Sequence, residues 1–221
     1  MARVISMLFL MTVVFFVIHY STSSYYFSNA EENYKESFKQ EESKRSAFLN
    51  DALEQIDYAL KLRPNNAKAL DLKAEIIYRK WWQNPDGKFL DDSKQLQRAK
   101  ELHLQALSIR KDWAFTVAQL ARIEAHKPVL DDEFFKRFDQ VYELGRFESA
   151  IALDMMRIGI SRWSELNDKA REKTVEFTRV SIEQKRNDLK FIRNLLLGFD
   201  LFDYFCSELS ESERQKVVCN K

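Results

Sequence analysis

The sequence predicts an all-α protein, with one apolar helix at the N-terminus and a body of paired helices behind it. Three observations lead there. Only 4 Gly and 3 Pro occur in 221 residues, too few turn-formers for a barrel or sandwich of many short strands. Hydrophobic residues make up 45% and charged residues 31%, which excludes a disordered tail and a polytopic membrane protein and leaves enough apolar side chain for a core. An uncharged apolar run stands at the head of the chain. The 35 Lys and Arg nearly cancel the 34 Asp and Glu, so no global basic field is present to hold a phosphate backbone, and nucleic acid is not an expected partner.

The first element covers residues 4–20, VISMLFLMTVVFFVIHY, which is apolar all round and therefore suited to lipid rather than to a half-wet surface. Its length at the helical rise is roughly 26 Å, a little short of a hydrocarbon core of about 30 Å. Ser21 to Ser24 extend it, and Tyr25, Tyr26 and Phe27 then fall at interfacial depth. We read residues 1–27 as a single-pass membrane anchor. A cleaved signal peptide is the competing reading: Arg3 supplies a minimal basic start and Ser28-Asn29-Ala30 resembles a small-x-small cleavage site. The apolar run exceeds the usual signal core of about 7 to 15 residues, which favours the anchor. Arg3 precedes the run, whereas Glu31 and Glu32 come before Lys35 on the far side, so positive-inside logic places the N-terminus in the cytoplasm. In a bacterial inner membrane the body is then periplasmic.

Residues 28–47 read as a charged helical stalk, with Glu31/Lys35 and Glu41/Arg45 at the i,i+4 spacing. Tyr34 and Phe38 form one apolar stripe, which Phe48, Leu49, Leu53, Ile56 and Leu60 continue. The pattern predicts one long helix leaving the bilayer and entering the fold without a flexible linker.

The helical hairpins are expected over residues 48–147. Ala52 and Ala59 let two helices approach, Ile56 and Leu60 fill the gap, and Arg63-Pro64 stops the helix. Asn65 and Asn66 suit a turn and the next N-cap, after which Ala67, Leu70, Ala74, Ile77 and Tyr78 line the following helix. Gln83-Asn84-Pro85-Asp86-Gly87 is a turn signal that opens an insertion near 83–98. Ala99, Ala106-Leu107, Ile109 and Arg110 then repeat the pattern of Ala52, Ala59-Leu60, Leu62 and Arg63 at an offset of 47 positions, counted from Ala52 to Ala99. A weaker third copy has Val117, Leu120 and Ala121 on one helix and Phe134, Phe138, Val141 and Leu144 on its partner. Asp131 and Asp132 suit that partner's N-terminus, and Gly145 is expected in the C′ position beyond its end.

These residues resemble the tetratricopeptide-repeat superfamily, whose period is about 34 residues, so the second copy carries an insertion of roughly 13. The resemblance implies a degenerate tetratricopeptide-like solenoid. A narrower likeness covers nearly the whole chain. The N-terminal anchor, the ALKLRPNNAKAL segment, the insertion after Trp82, the ALSIRKDWAF segment from Ala106, the ELGRFE segment from Glu143 and a Cys near the C-terminus look like the VpsP-like proteins of bacterial exopolysaccharide gene clusters. This copy departs from that pattern by lacking Pro at Lys111 and Arg146. The narrower resemblance implies a part in making or exporting a surface polysaccharide, and protein partners among the synthesis or export components.

Residues 148–221 continue as helices expected to cap the stack. Ala150, Ile151, Leu153, Met156, Ile158 and Ile160 mark the first; Val175, Phe177, Val180 and Ile182 the second; Leu189, Ile192, Leu195, Leu196 and Leu197 the third, ending at Gly198. Phe199, Leu201, Phe202 and Phe205 are expected to fold back as a seal. Cys206 and Cys219 either close a short loop in an oxidising compartment or are unrelated thiols; their spacing fits neither a CxxC redox motif nor a zinc knuckle.

No motif for chemistry emerges. Glycines 87, 145, 159 and 198 build no phosphate loop or dinucleotide fingerprint, and no cofactor is expected. His19, His103 and His126 lack metal-ligand spacing, so no metal is expected either. Asp91-Asp92 and Asp131-Asp132-Glu133 precede helices, where carboxylates answer the helix dipole. The candidate partner-binding residues are Trp81 and Trp82, beside the insertion, and Trp113; packing is the competing role for these and for Trp163. The concave face of a helical stack is a second candidate surface. These features predict a membrane-anchored periplasmic scaffold rather than an enzyme. The alternatives are a generic assembly factor of another envelope system, or a carbohydrate-active site built near Trp81, Trp82, Asp91 and Asp92. No small-molecule ligand is indicated.

Overall fold

A computed structural model describes residues 2–83, 92–184 and 189–219, and every regular element among them is helical. The chain divides into two compact units, Met1–Lys111 and Asp112–Lys221. The first contains α1 (Ala2–Ser37), α2 (Glu42–Leu62), α3 (Ala67–Trp82) and α4 (Asp92–Ile109). The second contains α5 (Ala114–Glu124), α6 (Asp132–Gly145), α7 (Ser149–Ser161), α8 (Asp168–Gln184), α9 (Leu189–Gly198), α10 (Phe202–Glu208) and α11 (Glu211–Val217), with a 3₁₀ turn at Trp163–Glu165.

In the first unit the apolar run and the stretch expected to be a stalk form one helix of 36 residues. That helix does not run on into α2. It ends at Ser37, with the Phe38 and Lys39 amides donating to the carbonyls of Lys35 and Glu36, and the chain turns back. The stalk is thus the packed first arm of a hairpin, and its Tyr34/Phe38 stripe does not continue along one helix into Phe48 and Leu49. Small residues make the close approach possible. Ser23, Ala30 and Ser37 recur every seventh residue on α1 and are fully buried, as are Ala52, Ile56 and Ala59 on α2. The Ser23 hydroxyl donates to the Ala59 carbonyl at 3.0 Å, and Tyr26 stacks on Tyr58 with ring centroids 5.3 Å apart, which sets the antiparallel register.

α2 stops where Arg63-Pro64 was expected to stop it, and the Asn66 side chain caps α3 by accepting from the Ala69 amide at 3.4 Å. From α3, Ala69 and Ile76 join the core shared by α1 and α2, while Leu70, Ala74 and Tyr78 are buried as well. α4 packs along α3 and buries Ala99, Leu102, His103 and Ala106. The turn Asn84-Pro85-Asp86-Gly87 lies outside the described residues, as does Asp91; the side chain of Asp92 is likewise not described.

In the second unit, α5 pairs with α6 and α7 with α8. Asp131 caps α6 by accepting from the Phe134 amide at 3.1 Å, and Phe134, Phe138 and Val141 form the buried face. Gly145 is not a left-handed cap: it is the last residue of α6, and no described glycine has positive φ. Its lack of a side chain serves packing, because a Cβ there would lie 2.8 Å from Ile151 Cδ1 and 2.9 Å from Ala114 Cβ. The expected boundary at Phe147 falls in the exposed turn between α6 and α7, and Ile151, just beyond it, packs back against the end of α6. α9 ends at Gly198 as expected, but the left-handed residue is Asp200, at φ 56°. Phe205 provides the expected seal: it is fully buried, with its ring 5.2 Å from that of Trp163, whereas Phe199 stays largely exposed. Leu209 and Val217 are buried too, and Cys206 is disulfide-bonded to Cys219, whose Cα lies 5.8 Å away. The bond ties α10 to the residues after α11, where Val218 adopts φ 57°.

Candidate functional site

Two of the three residues that the sequence singles out for binding, Trp81 and Trp82, stand at the C-terminal end of α3. On this helix Leu70, Ala74 and Tyr78 face inward, so Trp81 falls at the edge of the buried face and Trp82 beyond it. The rings form a ladder from inside to outside. Tyr78 is buried, Trp81 is half-buried with its ring 5.6 Å from that of Tyr78, and Trp82 is 61% exposed with its ring 6.0 Å from that of Trp81. The helix end beneath them is held firmly. The Lys80 ammonium donates to Asn50 Oδ1 on α2 at 2.6 Å, and the Arg79 guanidinium lies 3.5 Å from the Phe38 ring. A large aromatic projecting from a held helix end is the geometry of an interface anchor, because the side chain loses little freedom on docking.

Below this end lies a polar array that the sequence reading did not find. His103 on α4 is fully buried; its Nδ1 is 2.6 Å from Asp71 Oδ1, and its Nε2 faces Glu75 Oε1 at 3.6 Å. Glu75 also accepts from the Tyr34 hydroxyl of α1 at 3.3 Å. The array clamps α1, α3 and α4 through Asp71 and Glu75, one helical turn apart on α3. It is sealed from solvent at the imidazole, and the two carboxylates flank opposite ring nitrogens, so they do not converge on a common ligand. Among the described residues no group of three or more His, Cys, Asp or Glu could hold a metal ion. The signal was present in outline: His103 occupies a core position between Ala99 and Ala106, where a buried imidazole needs a hydrogen-bond partner.

The remaining aromatic candidates belong to the second unit. Trp113, in the second unit, is half-buried and precedes α5 as its N-cap residue. Trp163 packs on Tyr204 and Phe205 with centroids 5.1 and 5.2 Å away. Asp91, proposed beside Trp81 and Trp82 as part of a sugar-processing site, lies outside the described residues, and so does the side chain of Asp92.

The second unit holds a polar cleft of about 420 Å³ lined by Tyr142, Lys169, Lys173, Glu176, Arg179 and Tyr204, among others. Its charges answer one another. Asp139 binds Lys169 at 2.6 Å and Lys173 at 2.7 Å, and Arg179 pairs with Glu176 at 2.5 Å. Burial works to raise the Asp139 pKa, but the hydrogen bonds from the two lysines outweigh it and hold the carboxyl below its ordinary value. Self-paired ions of this kind shape a surface more than they offer a free charge to a ligand. Nearby in sequence, burial, followed by the charges of Arg122 and Arg162, pushes the His126 pKa down to about 4.

No protein-family model matches this chain, and comparison with curated proteins gives no match.

Proposed function

We propose that this protein is a single-pass membrane adaptor whose body carries tetratricopeptide-like hairpins on the periplasmic side of a bacterial inner membrane. In this reading it holds components of a surface-polysaccharide synthesis or export system together. The carrying observation is the continuity of α1. One helix, over Ser6–Ser37, is long and apolar enough to cross a membrane, and its second half is the first arm of the α1–α2 hairpin. An adaptor built this way presents Trp82 at a fixed place relative to the bilayer.

Three further observations support the reading. Ala30, at the potential cleavage site, is fully buried in mid-helix, so cleavage there would strip Ser23, Tyr26 and Phe27 from the hairpin, which favours an uncleaved anchor. The Cys206–Cys219 bond suits an oxidising compartment for the body. Small residues at the helix interfaces and pairing of consecutive helices suit repeat packing. The polysaccharide setting rests on the resemblance of the sequence segments described above.

The test is mild in-cell cross-linking followed by affinity capture and mass spectrometry. The full-length protein, a version with residues 4–19 exchanged for another membrane helix, and a Trp82→Ala variant are compared. Polymer synthases or exporters should be recovered with the first two and diminish with the third. Recovery of an unrelated maturation machinery, or of no envelope component, overturns the proposal.

A further inference from the structure

The corner where α2 meets α3 lies against α1 at one particular level. Residues 6–18 of α1 are exposed along the whole helix, whereas Ser23 is fully covered by α2, so cover begins between Tyr20 and Ser23. Arg63, just past the end of α2, reaches that level, with its guanidinium 4.1 Å from the Tyr20 ring. If the apolar part of α1 lies in lipid, as the proposed function holds, this corner stands at the headgroup layer, where Tyr, Lys and Arg side chains gather.

The corner is positive and nothing in it neutralises the charge. Residues 58–70, YALKLRPNNAKAL, contain Lys61, Arg63 and Lys68 and no Asp or Glu, and residues 20–30 of α1 opposite them carry no charge at all. Neither Lys61 nor Arg63 meets a carboxylate among the described residues; the Lys61 ammonium lies 4.7 Å from the Tyr58 ring instead. Next to Arg63 opens a mainly apolar cavity of about 660 Å³, walled by Phe15, Phe16, Val17, His19, Tyr20 and Leu62. A cation at the rim and aromatic and aliphatic walls running toward the bilayer centre match the two ends of one amphiphile.

We propose that this cavity is a binding site for an anionic phospholipid. The phosphodiester pairs with Arg63 and Lys61, and an acyl chain lies between the Phe15–Phe16 face of α1 and Leu62. Tyr20 acts as a positioning residue that holds the Arg63 guanidinium at the height of the phosphates. Charge complementarity and continuity with the lipid-facing surface of α1 select a phospholipid over a second copy of the chain, whose matching corner would bring like charges together.

Full-length protein reconstituted in vesicles of phosphatidylcholine, and of phosphatidylcholine mixed with an equal part of phosphatidylglycerol, tests this directly. Flotation after alkaline carbonate washing reports insertion, and spin-labelled lipids report the preference for phosphatidylglycerol over phosphatidylcholine. The wild type should prefer phosphatidylglycerol. Lys61→Gln with Arg63→Gln should lower that preference by roughly fivefold per cation while flotation is unchanged. Arg98→Gln, an exposed cation on α4, should leave the preference intact, and Tyr20→Leu should weaken it without affecting insertion. Equal preference in wild type and the double variant, with both inserted, overturns the lipid site alone, as does cross-linked dimer formation in place of any lipid preference. Failure of the wild type to float overturns the membrane reading beneath it as well.

Discussion

Asp71 and His103 show how much of this fold rests on single polar pairs. The two are 32 positions apart in sequence, 2.6 Å apart in space, and the imidazole has no access to water. Asp71→Ala leaves a buried N–H without its acceptor and should cost about 1–3 kcal/mol in equilibrium unfolding by urea, while Asp71→Asn, which keeps an acceptor oxygen, should cost less. Equal losses for the two variants would mean that the hydrogen bond is not what the site contributes. His126 makes a different kind of contribution. Its pKa falls from the ordinary 6.5 to about 4 on folding, chiefly through burial, so between those values the unfolded chain binds a proton that the folded chain refuses. The stability is therefore present above about pH 6.5 and is lost as the pH falls toward 4, by less than the roughly 3 kcal/mol of an unscreened group because solvent reaches part of the imidazole. Replacing His126 by Gln should flatten the stability profile over that interval in a pH series of urea melts; an unchanged slope would remove this residue as the cause.

Helix pairing is the next level, and Gly159 is its most exacting point. A Cβ at Gly159 would lie 2.2 Å from Thr174 Oγ1 and 2.4 Å from its Cγ2, and Thr174 is fully buried with its hydroxyl donating to the Ala170 carbonyl at 2.8 Å. The buried Thr174 side chain would have to move, so Gly159→Ala should destabilise by about 1–3 kcal/mol. Gly198 has nothing within 4 Å of the same position, and Gly198→Ala should be neutral or stabilise by up to roughly 1 kcal/mol through helix propensity. Thermal melts should show a lowered Tm for Gly159→Ala and an unchanged or raised one for Gly198→Ala. The same comparison explains what the sequence disclosed. Ala52, Ile56 and Ala59 on a buried face, the stop at Arg63-Pro64 and the caps at Asn66 and Asp131 were legible because periodicity, proline and capping side chains act within a few residues. Gly145 was not, because whether a glycine caps a helix or admits a neighbour depends on what lies across the interface. The turn after Ser37 was hidden for a related reason: Phe38-Lys39-Gln40-Glu41 contains no Gly or Pro, and Glu41 caps α2 without a side-chain hydrogen bond. The aromatic pair Trp81–Trp82 was legible as chemistry, but not the division between them, in which one ring is half-buried and the other projects.

At the scale of the whole molecule, the apolar N-terminal helix and the fold are not separable at the point the sequence suggests. A stalk is something that can be cut away without harm to the body above it. Here the segment after the apolar run supplies Tyr26, Phe27, Ala30 and Tyr34 to the core that also contains Leu49, Ala52, Ile56, Ala59, Ala69 and Ile76. Removing residues 1–21 takes away the exposed side chains of residues 6–18, together with the Tyr20 stack on Arg63, and leaves the Ser23–Ala59 hydrogen bond in place. Removing residues 1–40 takes away one of the two arms of the first hairpin and exposes the apolar face of α2. The shorter truncation should therefore remain helical and melt cooperatively, and the longer one should lose cooperativity in the first unit or aggregate through the uncovered face. Circular dichroism with hydrogen exchange on both versions gives the answer, with protection of α2 amides as the deciding observable. Retained protection along α2 after removal of residues 1–40 would make residues 23–37 a dispensable stalk after all; its loss would mean that the helix long and apolar enough to cross a membrane is also the helix on which the first unit is built.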